Sequence, residues 1–132
     1  MLRTMVVEDE FTSRRILSRM LAPLGTCDVA TDGKEALEAF GAALQEGSPY
    51  DVMCLDITMP DMNGHDVLKR IREMEEAAGL GGLDRVKIIM TTASDDRANI
   101  MGAFRSECDA YLVKPIAADR LMSTLSALGL GV

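Results

Sequence analysis

The chain reads as a doubly wound α/β domain, a five-stranded parallel sheet with helices on both faces. Two observations predict this. Five short apolar runs alternate with stretches of helical periodicity, the pattern of successive βαβ units. The third run, and much of the first and fourth, is apolar almost throughout, as expected of strands covered on both sides. A third observation points to function: four of the runs end in charged or hydroxyl residues. Parallel strands would bring those ends together at one edge, and open α/β sheets bind ligands at the carboxyl ends of their strands.

The first strand is Leu2 to Val7, and Glu8 and Asp9 follow it. Ile16, Leu17, Met20, Leu21 and Leu24 then recur at helical spacing, until Pro23 and Gly25 end that helix. Thr26 to Ala30 is a short second strand. Asp32–Gly33 turns into a helix with Ala36, Leu37, Phe40 and Leu44 on one face. Gly47, Ser48 and Pro49 break the chain before the third strand, Tyr50 to Leu55, which Asp56 closes. A loop from Ile57 to Asn63 leads to Gly64 and a helix with Val67, Leu68, Ile71 and Met74 inward. The glycine-rich stretch from Ala77 to Arg85 reads as a loop without chemistry. The fourth strand runs from Val86 to Met90 and is closed by Thr91 and Thr92. Ser94 suits an N-cap, with Asp95 and Asp96 at the positive end of a helix carrying Ala98, Met101 and Phe104. The fifth strand, Ala110 to Val113, is closed by Lys114 and Pro115, and the last helix turns Leu121, Met122, Leu125 and Leu128 to one side.

The bulk numbers bound the function. A length of 132 residues predicts a single domain over 1–132 with a real core. A net charge of −7 disfavours a nucleic-acid surface, which needs clustered Lys and Arg. No apolar run approaches the roughly 20 residues that span a bilayer, and the start lacks a signal-peptide layout, so cytoplasmic residence is expected, with no membrane partner. Cys27, Cys54 and Cys108 lie in or beside apolar stretches without C-x-x-C spacing and read as buried, reduced thiols.

Glu8, Asp9 and Asp56 together imply a cation. Two like charges about 4 Å apart repel by about 4 kcal/mol at an effective dielectric near 20, so a fold gathers three carboxylates when something compensates them. Oxygen ligands point to a hard ion. Mg²⁺ fits best, with Mn²⁺ as the alternative. Lys114 and Thr92 can bind phosphate oxygens. A carboxylate can itself be the nucleophile of a phosphoryl transfer, and Asp56, alone at the tip of the middle strand, is the best candidate. Taken singly, Asp9 reads as a helix cap and Lys114 as a solvated side chain. Their joint placement at strand ends favours a site.

These residues match a family. Val6–Val7–Glu8–Asp9–Glu10, Ala30–Thr31–Asp32–Gly33, Leu55–Asp56 with Met59–Pro60–Asp61–Met62–Asn63–Gly64, Thr92–Ala93 and Tyr111–Leu112–Val113–Lys114–Pro115 stand in order at the appropriate spacing. The chain resembles the receiver domain of two-component response regulators, of the stand-alone, chemotaxis-receiver-like type. The resemblance implies a flavodoxin-like (βα)5 fold. It implies that Asp56 accepts a phosphoryl group from the phosphohistidine of a sensor histidine kinase or histidine phosphotransferase. Asp9, Asp56 and the backbone carbonyl of Thr58 would ligate Mg²⁺, with Glu8 acting through a water. Lys114 and Thr92 would bind the phosphoryl oxygens, and small Ala93 would leave room for them. Tyr111 would be the switch aromatic, moving inward as Thr92 shifts, and the Lys114–Pro115 bond would be cis. The resemblance also implies that Thr58 and Ser94, both small and polar, influence phosphoryl lifetime. His65 is expected to lie exposed.

The expected output surface is the helix after strand four, the fifth strand and the last helix, facing a downstream protein such as a motor component, a phosphotransferase or a kinase. The domain would be a phosphoacceptor rather than an enzyme. Three rivals follow from the same residues. An aspartate phosphatase of the haloacid-dehalogenase class needs a second acid where Thr58 stands. A flavodoxin-like electron carrier would meet repulsion from Glu8, Asp9 and Glu10 at its flavin phosphate. A phosphorylation-independent scaffold would have little use for an intact acidic pocket. A receiver cut from a longer DNA-binding regulator is a further alternative, weakly disfavoured by Ile116 where one large subfamily has Phe.

Overall fold

The structure, a computed structural model, describes residues 1–93 and 108–132. The expected Ser94 cap, Asp95, Asp96 and the helix face of Ala98, Met101 and Phe104 lie outside the described residues. Five strands, β1 (Leu2–Val7), β2 (Gly25–Ala30), β3 (Val52–Asp56), β4 (Lys87–Thr92) and β5 (Ala110–Val113), form one sheet in the order β2-β1-β3-β4-β5. Every pairing is parallel. The described α-helices are α1 (Phe11–Leu21), α2 (Gly33–Gln45), α3 (Gly64–Ala77) and α4 (Ala118–Ala127). This is the doubly wound architecture expected from the alternating runs.

Strand alternation divides the apolar residues between two cores. Met5, Val7, Met53, Leu55, Ile88 and Met90 face one side, where Phe40 of α2 and Val67, Leu68 and Ile71 of α3 cover them. Val6, Cys54 and Ile89 face the other, under Leu17 and Leu21 of α1 and Leu121 and Leu125 of α4. Cys54 and Cys108 are buried and Cys27, on the edge strand β2, is half-buried; all three are unbridged. Burial pushes the Cys54 thiol up to about 12 and the Cys108 thiol up to about 11.

The strands begin differently from expectation where side chains replace ladder bonds. Tyr50 and Asp51 precede β3: the Asp51 carboxylate accepts from the Arg3 N–H at 2.7 Å, and the Arg3 guanidinium stacks 4.6 Å from the Tyr50 ring centroid. Val86 precedes β4 because its N–H donates to the Glu75 carboxylate at 2.6 Å. Ile16, expected in the core, lies exposed on α1 instead, and Phe11 is exposed beside it. The helix ends at Leu21, and a 3₁₀ turn over Ala22–Leu24 carries Pro23.

Beneath the sheet, at the end away from the β-strand carboxyl termini, a buried ion-pair network joins α3 to β4 and β5. Arg72 donates to Glu75 at 2.7 Å, to the Val86 carbonyl at 2.9 Å and to Asp109 at 3.0 Å. The same Asp109 carboxylate oxygen accepts from the Ile88 N–H at 2.8 Å.

Candidate functional site

The strand order reverses direction between β1 and β3, and crevices at such switch points are where doubly wound sheets bind ligands. Glu8 and Asp9 follow β1, and Asp56 is the last residue of β3. One carboxylate oxygen from each of Glu8, Asp9 and Asp56 lies within 4.8 Å of the others. Glu8 and Asp56 are buried while Asp9 is exposed, so the cluster opens to solvent on one side. Lys114, just past β5, donates to Glu8 and stands 3.5 Å from Asp56.

The local folding of each loop explains the geometry. Glu10, rather than Asp9, caps α1: its carboxylate accepts from the N–H groups of Thr12 at 3.1 Å and Ser13 at 2.6 Å. Asp9 is thereby left to face the pocket. The Glu10 N–H donates to Glu8 at 3.2 Å, and the Arg14 guanidinium donates to the Glu8 carbonyl at 2.9 Å and the Asp9 carbonyl at 3.3 Å. The Thr58 N–H donates to Asp56 at 3.3 Å. Asp61 tethers the same loop to the start of α2 through the N–H groups of Gly33 at 3.2 Å and Lys34 at 3.3 Å. A side chain at Gly64 would place its Cβ 2.4 Å from the Asp56 carbonyl oxygen, so glycine is required where α3 begins against the acceptor strand.

Burial pushes the Asp56 carboxyl up to about 7; the Glu8 charge adds to the rise and the Lys114 ammonium opposes it. Burial works against the Lys114 charge, but Glu8 and Asp56 more than offset it and its pKa is raised. The set of donors, three carboxylates within reach of one ion and one of them open to solvent, fits a hard divalent cation such as Mg²⁺.

The structure therefore brings Glu8, Asp9, Asp56 and Lys114 together, with exposed Thr58 beside Asp56. Thr92 ends β4 at the same edge, buried, and its carbonyl accepts from the Lys114 N–H at 2.7 Å. Ala93 follows, exposed. Tyr111 lies in β5, half-buried against the α2–α3 core. The Lys114–Pro115 bond is cis. His65 is not exposed as expected: it is half-buried, and its Nδ1 has no hydrogen-bond partner among the described residues. The roles of Glu10 and Arg14 were not legible from motif spacing. A residue three before Ser13 and an arginine one turn into a helix are the signals that could have pointed to them.

A carboxylate pocket at the switch point of a doubly wound sheet, faced by Lys114 from the end of β5, sits where such sheets bind ligands. The family model described as "Response regulator receiver domain" matches residues 4–126, and the chain belongs to this receiver family of two-component systems. It is 30% identical over 126 residues to the chemotaxis protein CheY of Thermotoga maritima, covering 94% of each chain. It is 34% identical over 129 residues to hybrid signal transduction histidine kinase L of Dictyostelium discoideum; 96% of this chain is covered, but only 7% of the kinase. Among solved structures, the receiver domain of the Arabidopsis thaliana histidine kinase CKI1, complexed with Mg²⁺, superposes with a TM-score of 0.82 at 26% identity, over 96% of this chain and 91% of that one. The family is a signalling domain rather than a metabolic enzyme. Among the described residues, no helix is long and apolar enough to cross a membrane.

Proposed function

We propose that the chain is a Mg²⁺-dependent phospho-aspartate switch. Asp56 takes a phosphoryl group from a phosphohistidine of a sensor histidine kinase or histidine phosphotransferase, and the domain signals by protein–protein contact. The observation that carries this reading is the buried Asp56 carboxylate at the tip of the central strand, held between Lys114 and two further carboxylates.

In the transfer, an Asp56 oxygen bonds to phosphorus as the P–N bond breaks. The electron pair returns to the imidazole, which leaves neutral when its other nitrogen carries a proton. Asp9, Asp56 and the Thr58 carbonyl, with Glu8 behind them, would hold Mg²⁺ (or Mn²⁺), which when bound neutralises charge on the phosphoryl oxygens. The Lys114 ammonium supplies a second positive charge beside Asp56, and the Thr92 hydroxyl binds a further oxygen. Thr58, exposed two residues past Asp56, leaves attacking water a path and so affects lifetime.

The switch is a repacking of Tyr111, half-buried in β5, as Thr92 moves toward the phosphoryl group. Among the described residues the output face comprises β5 and α4, where Val113 is exposed beside a groove of about 230 Å³ lined by Leu112, Pro115, Ile116 and Arg120. The groove between α1 and the Lys114–Pro115–Ile116 segment, with exposed Ile16 in its lining, is apolar surface reaching Lys114 beside the acceptor. It supports a protein donor. The family match over residues 4–126 supports a single receiver domain over 1–132. The small share of the hybrid kinase that is covered favours a receiver unit within a longer protein as the second reading.

The test is phosphorylation by a small phosphodonor with and without Mg²⁺, read by intact mass. One phosphoryl group is expected on the wild type in Mg²⁺ and none on Asp56→Ala. Modification that survives Asp56→Ala, or none under any condition, overturns the reading.

A further inference from the structure

The loop that carries two of the three clustered carboxylates has the carbonyls of both held by one side chain from α1. Glu8 has left the β1 ladder, although its N–H still donates to the Ala30 carbonyl at 3.0 Å. Asp9 is exposed, and Glu10 spends its carboxylate on the cap of α1. The main-chain carbonyls of Glu8 and Asp9 are gripped by one group, the Arg14 guanidinium, at 2.9 Å and 3.3 Å. Arg14 is half-buried on the first turns of α1, and its guanidinium lies 5.6 Å from the Phe11 ring centroid, which braces it from the helix side.

We infer that Arg14 is a positioning residue for the cation site: by holding both carbonyls it fixes the turn that aims the Glu8 and Asp9 carboxylates at Asp56. The inference rests on the Mg²⁺ reading of the pocket. Two effects of Arg14 on a cation have opposite sign. As a positive charge it repels the cation, so removing it would tighten binding. As a clamp it pre-organises the ligands, so removing it would weaken binding. The geometry favours the clamp. The guanidinium points its donors at carbonyls, not at the carboxylates.

The experiment is Mg²⁺ titration by calorimetry of the wild type, Arg14→Met, Arg14→Lys and, as a charge control, Arg15→Met, whose side chain is exposed on the same helix. Thermal melting in EDTA accompanies each. Arg14→Met is expected to bind Mg²⁺ about tenfold more weakly, the low end of the roughly 10–100-fold that loss of a metal ligand's supporting partner costs. Arg14→Lys keeps the charge and one contact and should fall between Arg14→Met and the wild type. Arg15→Met should match the wild type or bind slightly tighter. Backbone amide resonances of residues 8–10 should shift in Arg14→Met before any metal is added. Arg14→Met binding as tightly as the wild type, or tighter, overturns the inference. So does an equal loss in Arg15→Met. If Arg14→Met does not fold, Arg14→Lys decides: undiminished affinity there overturns the clamp. A wild type that binds no Mg²⁺ overturns the cation reading itself, a separate outcome.

Discussion

Asp56 is asked to be buried, charged and reactive at once, and its surroundings show the tension. Its carboxyl is raised from its ordinary 3.8 to about 7, first by burial and then by Glu8. A carboxylate raised in the folded state adds stability that is full below pH 3.8 and lost as pH rises through 7. Lys114, also raised, keeps its contribution throughout this window, because a lysine titrates well above it. Asp56→Asn should therefore raise the melting temperature of the metal-free protein, more at pH 8 than at pH 5. Melts in EDTA at the two pH values check this; an equal gain at both would mean that the raised carboxyl is not the source. At this scale the acids and the lysine were legible, because each closes an apolar run. Glu10 as cap and Arg14 as clamp were not. Glutamate is a less usual N-cap than Asp or Ser, and the carbonyls that Arg14 holds carry no sequence signal.

Among the elements, α3 does two jobs that its periodicity showed only in part. Val67, Leu68 and Ile71 form the expected apolar stripe. Glu75 continues that stripe and is buried, which apolar spacing alone could not reveal. It is tolerated because Arg72, the Val86 N–H and, at 3.8 Å, Arg85 satisfy it. Arg72→Met would remove the cation that buried Glu75 shares with half-buried Asp109, leaving Glu75 only Arg85 at 3.8 Å, and breaking a buried pair this way costs up to about 3–5 kcal/mol. Glu75→Gln should cost markedly less, because an amide oxygen still accepts from Val86. Urea unfolding midpoints compare the two, and an unchanged midpoint for Arg72→Met would sink the argument. The strand starts were misjudged for a related reason. At Val86 side chains take over both main-chain groups, so β-propensity runs past the true start of the strand. Ile16 shows the reverse error, since helical spacing placed in the core a residue that the fold leaves at the rim of a groove.

For the molecule as a whole, the parallel sheet followed from the alternation of runs, and the strand order put the acids at its switch point. A ligand that binds only the folded state stabilises it by mass action, by about 2.7 kcal/mol at a concentration 100 times its Kd. Mg²⁺ should therefore raise the melting temperature in a saturable way, and Asp9→Asn should remove most of the rise while leaving the metal-free melt little changed. Melts across a MgCl₂ series measure both; a rise that is equal in Asp9→Asn would place the ion elsewhere. The three unbridged thiols have a further consequence. They stand at graded depth, Cys27 at the sheet's edge, Cys108 just ahead of β5 and Cys54 in the centre. Alkylation needs the thiolate and access to it, so each reacts only when its own surroundings open. In a chain with no tryptophan to report unfolding, these sulfurs act as separate clocks for fraying at the edge, loosening beside β5 and opening of the whole fold.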